Sequence, residues 1–459
     1  MGNILLPDRN QEQEAITGMV PIPQFLQCLL QTTNPSPNSF VLVREFHLLY
    51  DIKPEKIEKA VSAIAFQHDA LRSRFMKDGG EWKQSIVPPE ENQSFRLVDL
   101  SCYPEEEQNQ HLISIIASEV YTLDITSGPL FKCVVVNYAE KKSQSLFVSV
   151  SHLIADGISL KIILQDLYTA LAQLEQNQNI HLPKKTTSLK TWGEWLASCV
   201  ASNTYNADVE KLILYKKSWP STGFLKVLPL DYPLGDMTKK VTDAVNVQLS
   251  VSETKSFLEV TQKNAHVSSL DILQTALAFA LAKWSGISII PICVVVHGRD
   301  SGSARVNITR TVGFFSLKLL EVITVQENMQ PIHTPQANPQ LRFAQELLCF
   351  SGEYERKFEA NVNNNAFYDT YCPNVVLNYI RQLDANKMEK ELLWEPVPGY
   401  ISDSENNSPR VGAQSLDCYA KIFHGQLHLF IQYSPQYFYP ATIENVAQQF
   451  LIAIQTYIK

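Results

Sequence analysis

Glycine is scarce in this chain, 17 of 459 residues against 24 prolines. Neither a G-x-G-x-x-G nor a G-x-x-x-x-G-K-[ST] string occurs, which disfavours the glycine loops that cradle nucleotide phosphates. A G-x-S-x-G elbow is missing too, and with it the usual serine-hydrolase nucleophile. Charge is thin. Charged residues make up 19% of the chain, below the roughly 25% usual for globular proteins. The net charge is −8 with no basic block, a poor match to nucleic acid or an anionic membrane surface. No apolar run reaches the length of a membrane-spanning helix. The opening residues, MGNILLPDRNQEQEA, carry no secretory signal pattern. Eight cysteines (Cys28, Cys102, Cys133, Cys199, Cys293, Cys349, Cys372, Cys418) are dispersed without a C-x-x-C pair. The expectation is a reduced, cytoplasmic environment, with Cys133 and Cys293 as buried thiols inside apolar strands.

What is abundant is apolar content, 45% of residues. At roughly 150 residues per domain the length allows two to four units, each with material for a core. Residues 54–66 read as a helix, with Ile57, Val61 and Ile64 on one face. Residues 130–138 and 146–152 are two β-branched runs around the polar turn AEKKSQ, a hairpin or neighbouring strands. A helix follows over 159–174, with Ile163, Leu164, Leu167 and Leu171 at helical spacing. The polar stretch at 177–190 is the best place for a lobe boundary. Beyond it, Ser268 with Asp271 makes a capping-box variant ahead of a nearly all-apolar helix at 270–284. Strands are expected at 287–296 and 375–379, a hairpin at 416–433 turning at His424-Gly425, and a last helix from about Thr442. Residues 326–340 and 386–414 fit no element and read as long loops. Both halves contain a strand that ends in a histidine, a hint of two related lobes.

The sharpest feature is Ser151-His152-Leu153-Ile154-Ala155-Asp156-Gly157. His152 stands where a strand leaves its sheet, Gly157 permits a tight turn, and the next helix begins with unpaired N–H groups. An imidazole beside such donors suits acyl transfer, as base for a nucleophile with N–H groups for the oxyanion. The plainer alternative is a structural strand-end histidine. His297 could supply a second acid–base group, or simply bond to backbone. A metal site from His152, Asp156 and His297 lacks a recognised ligand spacing, and no metal is expected. Trp192 and Trp195 read as core anchors.

The H-x-x-x-D-G string after a strand resembles the active-site signature of the condensation domains of nonribosomal peptide synthetases. These are relatives of chloramphenicol acetyltransferase and the CoA-dependent acyltransferases. The resemblance runs in order over nearly the whole chain. It takes in TGMVPIPQFLQCL from Thr17, FQHDALRSRF from Phe66 with Gly80-x-Trp82, and SHLIADGISLKIILQDL from Ser151. TTSLKTWGEWL, HGRD, TRTVGFFSLKLLEV and PNVVLNYIRQLD follow, the last three nearest to the epimerisation branch.

The resemblance implies an α/β fold of two chloramphenicol-acetyltransferase-like lobes, residues 1 to about 180 and about 181 to 459, forming a V-shaped pseudo-dimer around a channel. It implies His152 as the active histidine, with Ser151 where the family usually has another histidine. It implies an architectural Asp156, paired with Arg299 or, as alternatives, Arg72 or Arg74. His68 and Arg72 would pack their own motif. Epimerisation domains need a glutamate where Val295 stands, so epimerisation is not expected here. Arg381 replaces a glycine near the active-site loop. The implied substrates are phosphopantetheine thioesters presented by carrier proteins or synthetase modules in trans, or CoA thioesters, with no cofactor bound by the chain itself. Carriers would have to be separate, since no G-G-x-S attachment string occurs. A monomeric acyltransferase forming an amide or ester is expected. A degenerate domain that binds carriers or recruits a tailoring enzyme, and an acyltransferase using free acyl-CoA, are the alternatives.

Overall fold

A computed structural model of the chain describes residues 13–32, 37–89, 93–121, 123–138, 144–202, 205–217, 228–239, 242–263, 267–299, 306–325, 343–344, 346–347, 350–351, 374–380, 393–396 and 415–458. In chain order the first part runs β1 (Gly18–Val20), α1 (Gln24–Thr32), β2 (Val41–Leu48), α2 (Pro54–Gln67), β3 (Ser73–Asp78), β4 (Glu81–Ile86), β5 (Phe95–Asp99), α3 (Glu105–Ile115), β6 (Phe131–Asn137), β7 (Ser145–Ser151), α4 (Gly157–Glu175), α5 (Leu189–Ala201) and α6 (Asn206–Lys217). It continues β8 (Asp243–Gln248), α7 (Val251–Lys263), α8 (Ser269–Ser285), β9 (Ile289–Val296), β10 (Leu317–Thr324), β11 (Val375–Ile380), β12 (Trp394–Pro396), β13 (Leu416–Phe423), β14 (Gln426–Tyr433) and α9 (Pro440–Tyr457).

The strands form a five-stranded sheet, a six-stranded sheet and a small three-stranded one. In the five-stranded sheet the order is β12-β2-β7-β6-β5, so β7 is the central strand. All seven of its residues are buried, serines included, as expected of a strand covered on both faces. β6 and β7 pair antiparallel with Val135 opposite Leu146, the hairpin read from the sequence. Helices α2 and α4 contribute their apolar faces to the same core, through Ile57, Val61 and Ile64 and through Ile163, Leu167 and Leu171.

The six-stranded sheet runs β10-β9-β11-β13-β14-β8, and β11 lies parallel to both β9 and β13. Its core takes in the apolar side chains of α8 and the closing helix α9. Ser268 and Asp271 form the expected capping box, with Ser268 Oγ accepting from Asp271 N–H and the Asp271 carboxylate accepting from Ser268 N–H. The β13–β14 hairpin turns at His424-Gly425, both with positive φ (47° and 74°), the twist that suits a two-residue hairpin loop. Cys133 and Cys293 are buried in β6 and β9, and burial pushes the Cys133 thiol upward.

Among the described residues, three pieces of late sequence enter the first core, one of them through Phe343 and Leu347. Residues 306–315 contribute Val306, Ile308, Val312 and Phe315. Strand β12 adds itself to the edge of the five-stranded sheet, Trp394 opposite Leu48. That strand falls in the long stretch read as loop. Its three residues are too short a run to show a period of two, and only the waiting edge of β2 makes them a strand. Trp192 and Trp195 of α5 are buried in the same core, Trp192 edge-on to Phe315 at 4.9 Å. The stretch 326–340 lies outside the described residues. Among the described residues no helix is long and apolar enough to cross a membrane.

Candidate active site

β7 delivers His152. The residue stands one place beyond the strand, and its own N–H still donates to Phe40 O at 2.8 Å, so its backbone is held as part of the ladder. The ring is nearly enclosed, 9% exposed. Its Nδ1 lies 2.7 Å from Ala155 O. A carbonyl can only accept, so Nδ1 carries the proton, and in the neutral ring the lone pair is on Nε2. The face of the imidazole is stacked on Phe40, centroids 4.6 Å apart at 19°. Phe314 stands perpendicular to it at 5.1 Å and 90°. Ser151, at the place of the family's other histidine, is buried, and its Oγ accepts from Leu153 N–H at 3.4 Å.

Asp156 ends the turn and caps α4. Its Oδ1 accepts from Ser159 N–H at 2.7 Å, the expected use of an aspartate at a helix N-cap. The same oxygen accepts from Arg299 Nη2 at 3.0 Å, and Oδ2 accepts from Phe315 N–H at 3.2 Å. Both oxygens of a carboxylate that is 1% exposed are thus engaged. Of the three arginines weighed as partners, the structure brings Arg299. Arg72 pairs instead with Asp69 and donates to Ala65 O, and Arg74 donates to Ser73 O. His68 Nε2 meets Asp166 of α4 at 2.9 Å, joining its motif to that helix.

Arg299 is the hub of a wider network. Nη1 donates to Ile308 O at 2.9 Å and Thr311 O at 2.7 Å, and Nη2 also donates to Ser159 Oγ at 2.8 Å. Its guanidinium lies over the Phe315 ring at 4.3 Å. Ser159 Oγ donates to Gly313 O at 2.7 Å and accepts from Gly313 N–H at 3.0 Å. Residues 308–315 are therefore tied to the start of α4 by charge-assisted and neutral bonds inside a buried space. Ser159, Gly313, Phe40 and Phe314 were not legible as site residues. Ser159 had one signal, its place three residues after a capping aspartate. Phe314 also had one, its place in the TRTVGFFSLKLLEV string, whereas Phe40, 274 positions earlier, had none.

Gly157 is the first residue of α4, and its φ does not lie in the left-handed region. The turn does not need glycine for its backbone, contrary to the expectation. An added Cβ would meet nothing within 4 Å, so the missing side chain leaves open space beside N–H groups that the helix itself cannot pair.

His297 follows β9 as His152 follows β7, yet it is exposed, and its Nδ1 accepts from Arg299 N–H at 3.2 Å. Gly298 has φ of 58°, and a Cβ there would fall 1.8 Å from Phe315 O. Here glycine is compulsory. Val295, half-buried in β9, lies opposite Lys318 and beside Asn378 in register. Arg381 lies outside the described residues. Among the described residues no three His, Cys, Asp or Glu side chains gather as metal ligands would.

Residues 24–329 match the family model of the condensation domain. The chain belongs to the condensation-domain family. Its curated relatives are peptide synthetases. Chondramide synthase cmdD of Chondromyces crocatus is 28% identical over 443 residues, 96% of this chain and 11% of the relative. Tyrocidine synthase 1 of Brevibacillus parabrevis is 27% identical over 467 residues, 96% of this chain and 40% of the relative. The condensation domain thus spans about a tenth of the length of the first relative and two fifths of the second. Among solved structures, the epimerization domain from the third module of tyrocidine synthetase B aligns with a TM-score of 0.76 and 23% identity, covering 97% of this chain and 98% of that one. The two sheets with their separate cores are the two chloramphenicol-acetyltransferase-like lobes of the condensation-domain fold.

Proposed function

We propose that this condensation domain is an acyltransferase of nonribosomal peptide synthesis. It joins a thioester-held acyl or peptidyl group to an amine or hydroxyl, giving an amide or ester. One observation carries the reading: His152 Nδ1–H donates a hydrogen bond to Ala155 O, which leaves Nε2 unprotonated in the neutral ring. Nε2 orients the nucleophile or takes its proton as the new bond to the thioester carbon forms. The carbonyl oxygen becomes an oxyanion, met by the Gly157 N–H at the head of α4. The carbonyl then re-forms as the C–S bond breaks and the thiolate leaves. Asp156 has both oxygens occupied and moves no proton. With Arg299 it holds the loop that aims His152.

The donors are phosphopantetheine thioesters on carrier proteins or synthetase modules, reaching His152 through a channel between the two lobes. The protein works as a cytoplasmic monomer. Epimerisation is disfavoured, because removing and returning an α-proton needs a second acid–base group and Val295 has none to offer.

Ser151 and Val295 favour a second reading, a domain that recruits a partner without chemistry. The X-domain from teicoplanin biosynthesis, solved in complex with OxyB, shares the fold with a TM-score of 0.68 at 15% identity. A third reading uses free acyl-CoA. The starter condensation domain of rhizomide synthetase, solved with C8-CoA, has a TM-score of 0.65 at 15% identity.

Intact-protein mass spectrometry with an acyl-loaded and an aminoacyl-loaded carrier tests the first reading. Product that forms with the native chain and disappears in His152→Ala supports it. Product that persists in His152→Ala overturns the catalytic assignment, turnover of free acyl-CoA without a carrier supports the third reading, and carrier binding without product supports the second.

A further inference from the structure

The imidazole of His152 is held by more than its bond to Ala155. Phe40 enters from the residue just before β2, and its ring lies face to face with His152 at 4.6 Å and 19°. Phe314 enters from the segment that Arg299 and Ser159 tie down, and it meets the same ring at 5.1 Å and 90°. Phe314 is itself backed by Phe25 of α1, centroids 5.6 Å apart. Each contact removes a different freedom. The Nδ1–H bond chooses the protonated nitrogen, the Phe40 stack fixes the plane of the ring, and Phe314 blocks rotation out of that plane. Aromatic pairs favour these offset and edge-on geometries over others, and a side chain with two rotatable bonds is then fully specified.

We propose that Phe40 and Phe314 are positioning residues for His152, an aromatic clamp that keeps Nε2 as the free nitrogen and sets its direction. The proposal rests on the reading of His152 as the group that handles the nucleophile, and it gives the Asp156–Arg299 network a route to the chemistry. Arg299 holds the carbonyls of Ile308 and Thr311, Ser159 holds Gly313 on both its N–H and its C=O, and the next residue is Phe314.

Two readouts test the clamp. The first needs no substrate: full-length protein labelled with 15N-histidine, with the His152 ring signals assigned by their loss in His152→Gln. The wild-type ring should show one tautomer, protonated at Nδ1. In Phe40→Leu and in Phe314→Leu the two ring nitrogens should move toward each other as the tautomers exchange. The second readout is amide formation from an acyl-loaded and an aminoacyl-loaded carrier protein. Each leucine variant should lose about 10- to 100-fold in kcat with KM for the carriers unchanged, since misplacing a catalytic group by about 1 Å costs that order. Phe40→Tyr, which keeps the ring face, should recover most of the rate.

The clamp is overturned if a leucine variant that melts as the wild type does keeps both the tautomer and the rate. The two variants come from different parts of the fold, so one that fails to fold leaves the other to decide. A His152→Ala protein of undiminished rate overturns the functional reading, while the ring spectra still decide the clamp.

Discussion

His152 and His297 each stand one residue beyond a strand, and their rings play opposite parts. His152 is enclosed by two phenylalanines and donates from Nδ1 to a carbonyl, so in the neutral ring its lone pair sits on Nε2. His297 is exposed and accepts at Nδ1 from a backbone N–H, so in the neutral ring its proton sits on Nε2. The glycines nearby reverse as well. Gly157 has open space where a side chain would go, whereas Gly298 lies against the carbonyl of Phe315. The first region keeps its backbone undemanding and directs its contacts to the imidazole. The second directs its contacts to the backbone, so that Arg299 can cross to Asp156. Similar local sequence thus encloses an imidazole at one strand end and anchors an arginine network at the other.

The comparison breaks most readily at His152. His152→Ala should lower amide formation about 10²- to 10⁴-fold, the usual worth of a positioned general base, measured as product from loaded carriers. Next in size is the joint. Arg299→Ala leaves Asp156 buried and without its cation, and should cost about 3–5 kcal/mol of stability in a urea titration. Arg299→Lys should recover only part of it, because a lysine cannot span Asp156, Ser159, Ile308 and Thr311 with one planar fork. Gly298→Ala should destabilise by about 3 kcal/mol through the clash with Phe315 O, while Gly157→Ala should stay within about 0.5 kcal/mol of wild type. Equal effects from the two alanines would erase the contrast between the strand ends. The smallest effect belongs to His297→Ala, a loss of about 0.5–1 kcal/mol for one hydrogen bond and a turnover within about twofold of wild type. A turnover loss as deep as that of His152→Ala would make the two histidines an acid–base pair.

Much of this was legible because it is local. The α4 helix, the β6–β7 hairpin, the capping box of Ser268 and Asp271, and the turn at His424-Gly425 follow from periodicity and turn chemistry within a few residues. The strand pattern placed His152 at a strand end ahead of a helix for the same reason. Short-range pattern failed where a residue's role comes from a distant neighbour. Strand β12 exists because β2 offers it an edge, Gly157 is free because nothing packs above it, and Gly298 is constrained because residue 315 runs past it.

By itself, the sequence determined most of the elements, the helix behind the histidine and the kind of chemistry an imidazole there can do. Periodicity, capping and strand ends are properties of neighbouring residues. The choice of Arg299 over Arg72 or Arg74, the tautomer of each histidine and the phenylalanines around His152 were decided only in the tertiary structure. Each of those depends on which groups meet across more than a hundred residues of chain, or on which carbonyl or N–H the folded backbone turns toward a ring nitrogen.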